Sequence, residues 1–292
     1  IIIGLALMPN EFGLYNSIFL SFNYLMIINI GLLSAAGRES AHYFGQEGKE
    51  NLGVDIQNKS IVIDFLITIF ITIIFLIYVI QQETLFLIIC HLLVGITYVL
   101  TKISSTYERF NSARNLFTGV AMAHLIGYIL GPVLIIATIF YFKIYALFII
   151  PIIVLLVQIF YYNIKMPLDF HLVFDFSGMK KLLYAGFFMG ISSIFSSFYQ
   201  IIDRTFIKLY LDNTIMGLYS FSMVFSMLLM TILANLQSIF SYTLNKHSAT
   251  VEPRKLFKET YQYINYLLIV ALMMIIVSQL FYINIYNGIY CS

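Results

Sequence analysis

The chain has 292 residues, 61% of them apolar and only 10% charged, with a formal net charge of +2. A soluble domain carries about 25% charged residues, so an ordinary soluble fold is excluded, and so small a net charge gives no footing for nucleic acid. Two cysteines, Cys90 and Cys291, offer no disulfide framework, and with no tryptophan any interfacial belt must use the 22 tyrosines.

Residues 1–8 are apolar but too short to span a membrane. They read as the tail of a helix whose beginning is missing, and they lack the basic start and cleavage site of a signal peptide. A polar turn, Pro9-Asn10-Glu11, leads to a second span over about 12–35 and a long polar segment over 37–59. The third span, 61–80, is twenty residues with one charge, Asp64. The hydrocarbon layer is about 30 Å thick, and a helix crosses it in about 20 residues. Barrel strands alternate apolar and polar; this run does not, so it predicts a helix. A turn at 81–84 precedes span four, about 85–103, and a polar loop, 104–115. Span five, about 116–139, contains Gly131-Pro132, where a kink is expected. Lys143 marks the next turn. Span six covers about 146–163, a polar linker 164–181, span seven 182–202, span eight 217–240, and span nine 260–281.

The fold expected is an all-α integral membrane protein of about nine transmembrane helices. Spans one to six, residues 1–163, form an N-terminal lobe; 164–181 link it to a partial second lobe, 182–292. The loops 37–59, 104–115, 164–181 and 241–258, with Lys102 counted among them, hold 13 of the 16 lysines and arginines. Basic loops stay in the cytoplasm, so this asymmetry sets the orientation. Gly13-Leu14-Tyr15 recurs as Gly217-Leu218-Tyr219, 204 residues on. Six spans separate the copies, so the repeat is parallel, as in two-lobed carriers with a central cavity.

Ionisable residues at depth are costly and are functional candidates by default. Arg204, beside Asp203 at the outer end of span seven, either snorkels to the interface or faces a cavity and grips an anion through its planar fork. Lys208 is one turn further on. Arg38, beside Glu39, is either an interfacial anchor or a contact at the cavity mouth. Asp64 either caps the start of its helix or binds a coupling cation or proton. His91 and His124 lie in apolar spans and either bond to a neighbouring helix or relay protons. Ser193 and Ser197, on a stripe with Gly186 and Gly190, either permit close packing or line a polar cavity. There is no phosphate-cradling loop, metal-ligand spacing or nucleophile elbow.

The segment 179–188 (MKKLLYAGFF), then Ile202-Asp203-Arg204 and Gly217-Leu218-Tyr219-Ser220, resembles the central signature of Wzx-type polysaccharide flippases, members of the multidrug/oligosaccharidyl-lipid/polysaccharide exporter superfamily. Phe12-Gly13-Leu14-Tyr15, Asn29-Ile30-Gly31-Leu32 and Arg38-Glu39 resemble that family's first outer turn, second helix and cytoplasmic exit. Tyr107-Glu108-Arg109-Phe110 is similar to its loop after helix four. Phe187 follows Gly186, where relatives often carry proline. The resemblance implies two six-helix lobes, with three to five C-terminal helices beyond this chain. It implies transport without catalysis or cofactor. The substrate would be an undecaprenyl-diphosphate-linked oligosaccharide, the setting the cytoplasmic membrane, and the partners membrane lipid and polysaccharide assembly proteins. A drug/cation antiporter and a lipid II flippase are rivals within the class. A membrane glycosyltransferase or ligase is a rival from outside it, but the outer loops are short and nearly uncharged.

Overall fold

The computed structural model describes residues 6–28, 31–46, 48–171, 173, 179–223, 261–266, 268–270 and 272–273. All regular structure among them is α-helical. Seven helices are α1 (Pro9–Ile27), α2 (Leu32–Phe44), α3 (Glu50–Ile80), α4 (Leu85–Ala113), α5 (Phe117–Phe142), α6 (Ile144–Lys165) and α7 (Met179–Tyr210). The chain forms two compact units, 1–218 and 219–292. The first holds all seven helices. In the second, the described residues are helical, and most of expected spans eight and nine lies outside the described residues, as does 1–5 of the expected partial first span.

Helices α3 to α6 and the 179–199 part of α7 are each long and apolar enough to cross a membrane. The bent pair α1 and α2 adds a sixth if it is one span. By length and apolarity this is a multi-pass membrane protein. The turns at Gln81–Thr84 and at Lys143 fall where the sequence puts them. Thr84 caps α4 by accepting the Leu87 N–H at 3.3 Å.

Four expectations are corrected. Pro9-Asn10-Glu11 is not a turn but the first turn of α1. Proline suits that position because its missing N–H is not needed there, and the Glu11 carboxylate accepts the Met8 N–H at 3.0 Å. Span two is not one helix: α1 stops at Ile27 and α2 sets off at 49° to it from Gly31, whose φ is +69°. The polar segments 37–59 and 104–115 are mostly helix, because polar residues without proline continue a helix into water as readily as they form a loop. The turns proper lie near residues 45–46 and 48–49, and 114–116. Lastly, span five is not broken at Gly131-Pro132, since α5 continues as one helix through Pro132.

The core has two storeys. Ile18 and Leu25 of α1, Phe75 and Val79 of α3, Val94 and Tyr98 of α4, and Phe148 of α6 pack together near the Gln81–Thr84 end. Towards the other, more basic end, Leu32, Leu33 and Ala36 of α2 meet Phe110 of α4 and Met179 and Leu182 of α7. So α7, the opening of the expected second lobe, packs on α1 and α2. Cys90 is fully buried. By contrast, α5 leaves Leu125, Ile129, Val133, Ile136 and Phe140 exposed, a surface suited to lipid.

Polar side chains close the basic end. Arg114 donates to Gln57 Oε1 at 3.2 Å and to the Pro167 carbonyl at 3.4 Å, and pairs with Asp169 at 3.5 Å. Asn111 donates to the Met166 carbonyl at 3.3 Å, and Asn58 accepts the His171 N–H at 3.3 Å. These bonds fasten the segment after α6 across α3 and α4.

Candidate functional site

A cavity of about 790 Å³ opens at the basic end between α2, α3 and α7. Arg38 and His42 lie one turn apart on α2, and Asp55 and Lys59 one turn apart on α3. Glu39 and Lys181 complete its charged lining. Asp55 and Lys59 pair at 2.9 Å. Among the remaining fixed charges of the lining, Arg38 and Lys181 outnumber Glu39. The wall is therefore cationic, in a chain with few charges anywhere. Of the residues singled out in the sequence, Arg38 belongs here. His42, Asp55, Lys59 and Lys181 were not foreseen, although Lys59 and Asp55 share a helical spacing.

Arg204 is elsewhere. It lies on α7, 23 residues past Lys181, or about 35 Å along the helix axis. It is half-buried, within electrostatic reach of Tyr15 on α1. Lys208, one turn on, donates to the Ser17 carbonyl at 2.9 Å. Ser17 in turn donates to Asn213 Oδ1 at 3.2 Å, and the hydroxyls of Tyr24 and Thr205 bond across the same α1–α7 seam. Arg204 and Lys208 thus share the face of α7 turned to α1, while Asp203 is exposed. Ser197 is half-buried. Ser193 is exposed and donates to the Met189 carbonyl of its own helix at 3.0 Å. On the same stripe, Gly186 and Gly190 are buried against Gly31 at the α1–α2 bend, which is the packing reading of that stripe. The five substrate-site candidates therefore fall into two groups: Arg38 at the basic end, and Ser193, Ser197, Asp203 and Arg204 from the middle of α7 to its far end.

Asp64 does not cap its helix. The helix starts fourteen residues earlier, at Glu50, and Asp64 is buried with its Oδ1 2.8 Å from Lys102 Nζ. Lys102, counted with the loops in the sequence, is itself buried inside α4. A lysine set among Val99, Leu100 and Ile103 was the available signal. His124 reaches a neighbouring helix, with Nε2 3.5 Å from Glu108 of α4. His91 instead bonds the Leu87 carbonyl of its own helix through Nδ1, at 2.8 Å.

The stretch 107–110 is helical, and its residues make distinct contacts. Tyr107 stacks on Tyr162 of α6 with centroids 5.6 Å apart. Glu108 meets His124 of α5, Arg109 donates to Ser34 of α2, and Phe110 is fully buried in the α2–α7 storey. No family model, curated protein or solved structure matches the chain.

Proposed function

We propose that this chain is the N-terminal lobe and the opening of the second lobe of a flippase for undecaprenyl-diphosphate-linked oligosaccharides. In this reading it has nine spans in a parallel six-span repeat. It sits in the cytoplasmic membrane with its basic end inward, and it serves cell-surface polysaccharide assembly. The observation that carries the reading is the charged cavity at the basic end. A lipid-linked sugar keeps its tail in the bilayer, so only its polar head needs a compartment. A volume of about 790 Å³ is in the range of ligand sites, about 300–1,000 Å³. Arg38 offers a planar fork to a diphosphate, and Lys181 adds a point charge. Glu39, Asp55 and His42 supply hydrogen-bonding partners for hydroxyls. A cation antiporter would favour a carboxylate open to its cation, whereas Asp64 is already paired with Lys102.

The test is complementation of a flippase-deficient strain by the full-length protein. Surface polysaccharide should be restored by wild type and lost in Arg38→Ala and Arg204→Ala at equal membrane abundance. Arg204→Lys should restore part of it. Failure of the wild type to complement in strains of several polysaccharide types would sink the reading. If Arg204→Ala alone complements fully, Arg204 is only part of the α1–α7 seam.

A further inference from the structure

The run Arg38-Glu39-Ser40-Ala41-His42-Tyr43 gives α2 two neighbouring rows of side chains, because residues four apart lie on one helix face. Arg38 and His42 form one row, Glu39 and Tyr43 the other, and all four line the charged cavity of about 790 Å³. Helix α3 adds Asp55 and Lys59 to that lining, and α7 adds Lys181. Among the described lining residues, three cations thus stand against two acids. Capture of an anion explains the cations and leaves the acids without a role.

The three cations are not equally open to a ligand. Lys59 is 9% exposed, and its ammonium is held 2.9 Å from Asp55. Arg38 and Lys181 are exposed. A diphosphate that bridges a lipid and a sugar bears one negative charge on each phosphate, so these two side chains match it charge for charge. His42 adds no further cation in this arrangement. The Gln46 amide nitrogen can only donate, so at 2.8 Å it makes His42 Nε2 an acceptor and leaves the ring neutral. With a diphosphate in place, the described lining has no cation to spare.

We infer that the cavity selects lipid diphosphates whose sugars are neutral or carry an amine, and rejects those with acidic sugars, with Glu39 and Asp55 as the discriminating residues. An ionised carboxylate only accepts hydrogen bonds. Glu39 and Asp55 therefore suit sugar hydroxyls or an ammonium, and Tyr43, one turn beyond Glu39, offers an aromatic ring for the C–H face of a pyranose. The carboxylate of an acidic sugar is an acceptor as well. It can form no hydrogen bond with either acid, it finds no cation of its own, and it lies beside like charge. Such a juxtaposition turns the wrong partner away. The diphosphate part of this inference rests on the transport reading; the discrimination is a separate property of the two acids.

The test uses the full-length protein in lipid nanodiscs and two polyprenyl diphosphates, one carrying a neutral hexose and the other the matching hexuronic acid, which differs by one carboxylate. Titration calorimetry gives Kd for each. The wild type should hold the neutral ligand about tenfold tighter or more, as contact between like charges requires. Asp55→Asn releases Lys59 for a third anion, and Glu39→Gln removes the other like charge. Each should bring the two affinities to within about threefold of each other, chiefly by tightening the acidic ligand. Glu83→Gln makes the same change in net charge in the turn before α4 and should keep the wild-type ratio. Binding of the neutral ligand also reports that each variant is folded. Equal wild-type affinities, or a tighter acidic ligand, would overturn the selectivity and leave the transport reading standing. A ratio that persists in both variants, or loss of neutral binding in both, would show that the two acids do not discriminate. If the wild type binds neither ligand, the diphosphate reading falls and the selectivity with it.

Discussion

Gly13 and Gly217 lie against each other's backbones with no room for a side chain on either. A Cβ on Gly13 would sit 1.6 Å from the Asn213 carbonyl oxygen, and one on Gly217 would sit 2.0 Å from the Pro9 carbonyl oxygen. Each glycine meets the carbonyl four residues before the other, so the contact is reciprocal. These are the glycines of the two Gly-Leu-Tyr copies. Each stands near the start of a helix and close to an acid that accepts a backbone N–H: Glu11 from Met8, and Asp212 from Ile215 at 2.9 Å.

Gly13→Ala and Gly217→Ala should each lower stability, by about 1–3 kcal/mol as for other overpacked contacts. Thermal unfolding of purified protein in detergent reads this directly. Paired cysteines at Ser17 and Asn213, whose side chains meet at 3.2 Å, should cross-link under mild oxidation. Unchanged unfolding in both glycine variants, with no cross-link, would mean that the two helix starts do not touch.

Gly31 is the second crowded backbone. Its φ of +69° suits glycine, and a Cβ there would come within 2.4 Å of the Gly186 carbonyl oxygen. The left-handed conformation alone costs another residue about 1–2 kcal/mol. Gly31→Ala should therefore destabilise the protein by more than that, whereas Gly48→Ala, with φ +79° and open space around it, should cost only the conformational part. Equal melting shifts for the two would show that the α1–α2 bend is not pressed against α7.

Arg114→Ala removes the bonds to Gln57, Pro167 and Asp169 together. We expect faster protease cleavage and faster amide exchange in 166–171, with α3 and α4 unaffected. Hydrogen exchange by mass spectrometry checks this, and unchanged exchange in 166–171 would show that Asn111 and Asn58 suffice to hold the segment.

Orientation is tested by thiol labelling in intact cells. A cysteine at Asn51, near the start of α3, should resist an impermeant reagent, and one at Gln82, in the turn before α4, should react. The reverse pattern would invert the molecule.

Much of this architecture was legible in the sequence. Apolar runs of spanning length with short polar breaks located α3 to α7 and the turns at 81–84 and 143, because the bilayer imposes length and apolarity on a helix whatever it packs against. Polarity does not separate loop from helix outside the hydrocarbon, so 104–113 has the composition of a loop although it is the end of α4. Register between helices was equally hidden. Nothing local in the sequence announces that Asp64 meets Lys102 38 residues away, or that Lys208 reaches Ser17 across 191. The glycine stripe at 186 and 190 is visible, but its partner, the bend at Gly31, is not, since the run 12–35 has the length and apolarity of a single span despite Ser21, Asn23 and Asn29.

That bend gives α2 the character of a lever. Its thirteen residues extend about 20 Å from a fulcrum at Gly31. Arg38 and His42 ride about 10 and 16 Å out along this arm, and their side chains line the charged chamber. A swing of roughly 15° about Gly31 would carry the far tip some 5 Å, on the arm length just given, and Arg38 about half as far. The same two glycines of α7 that let the fulcrum sit so close also leave it no side chains to catch on. A small rotation at Gly31 would thereby be magnified into a change in the width of the basic mouth.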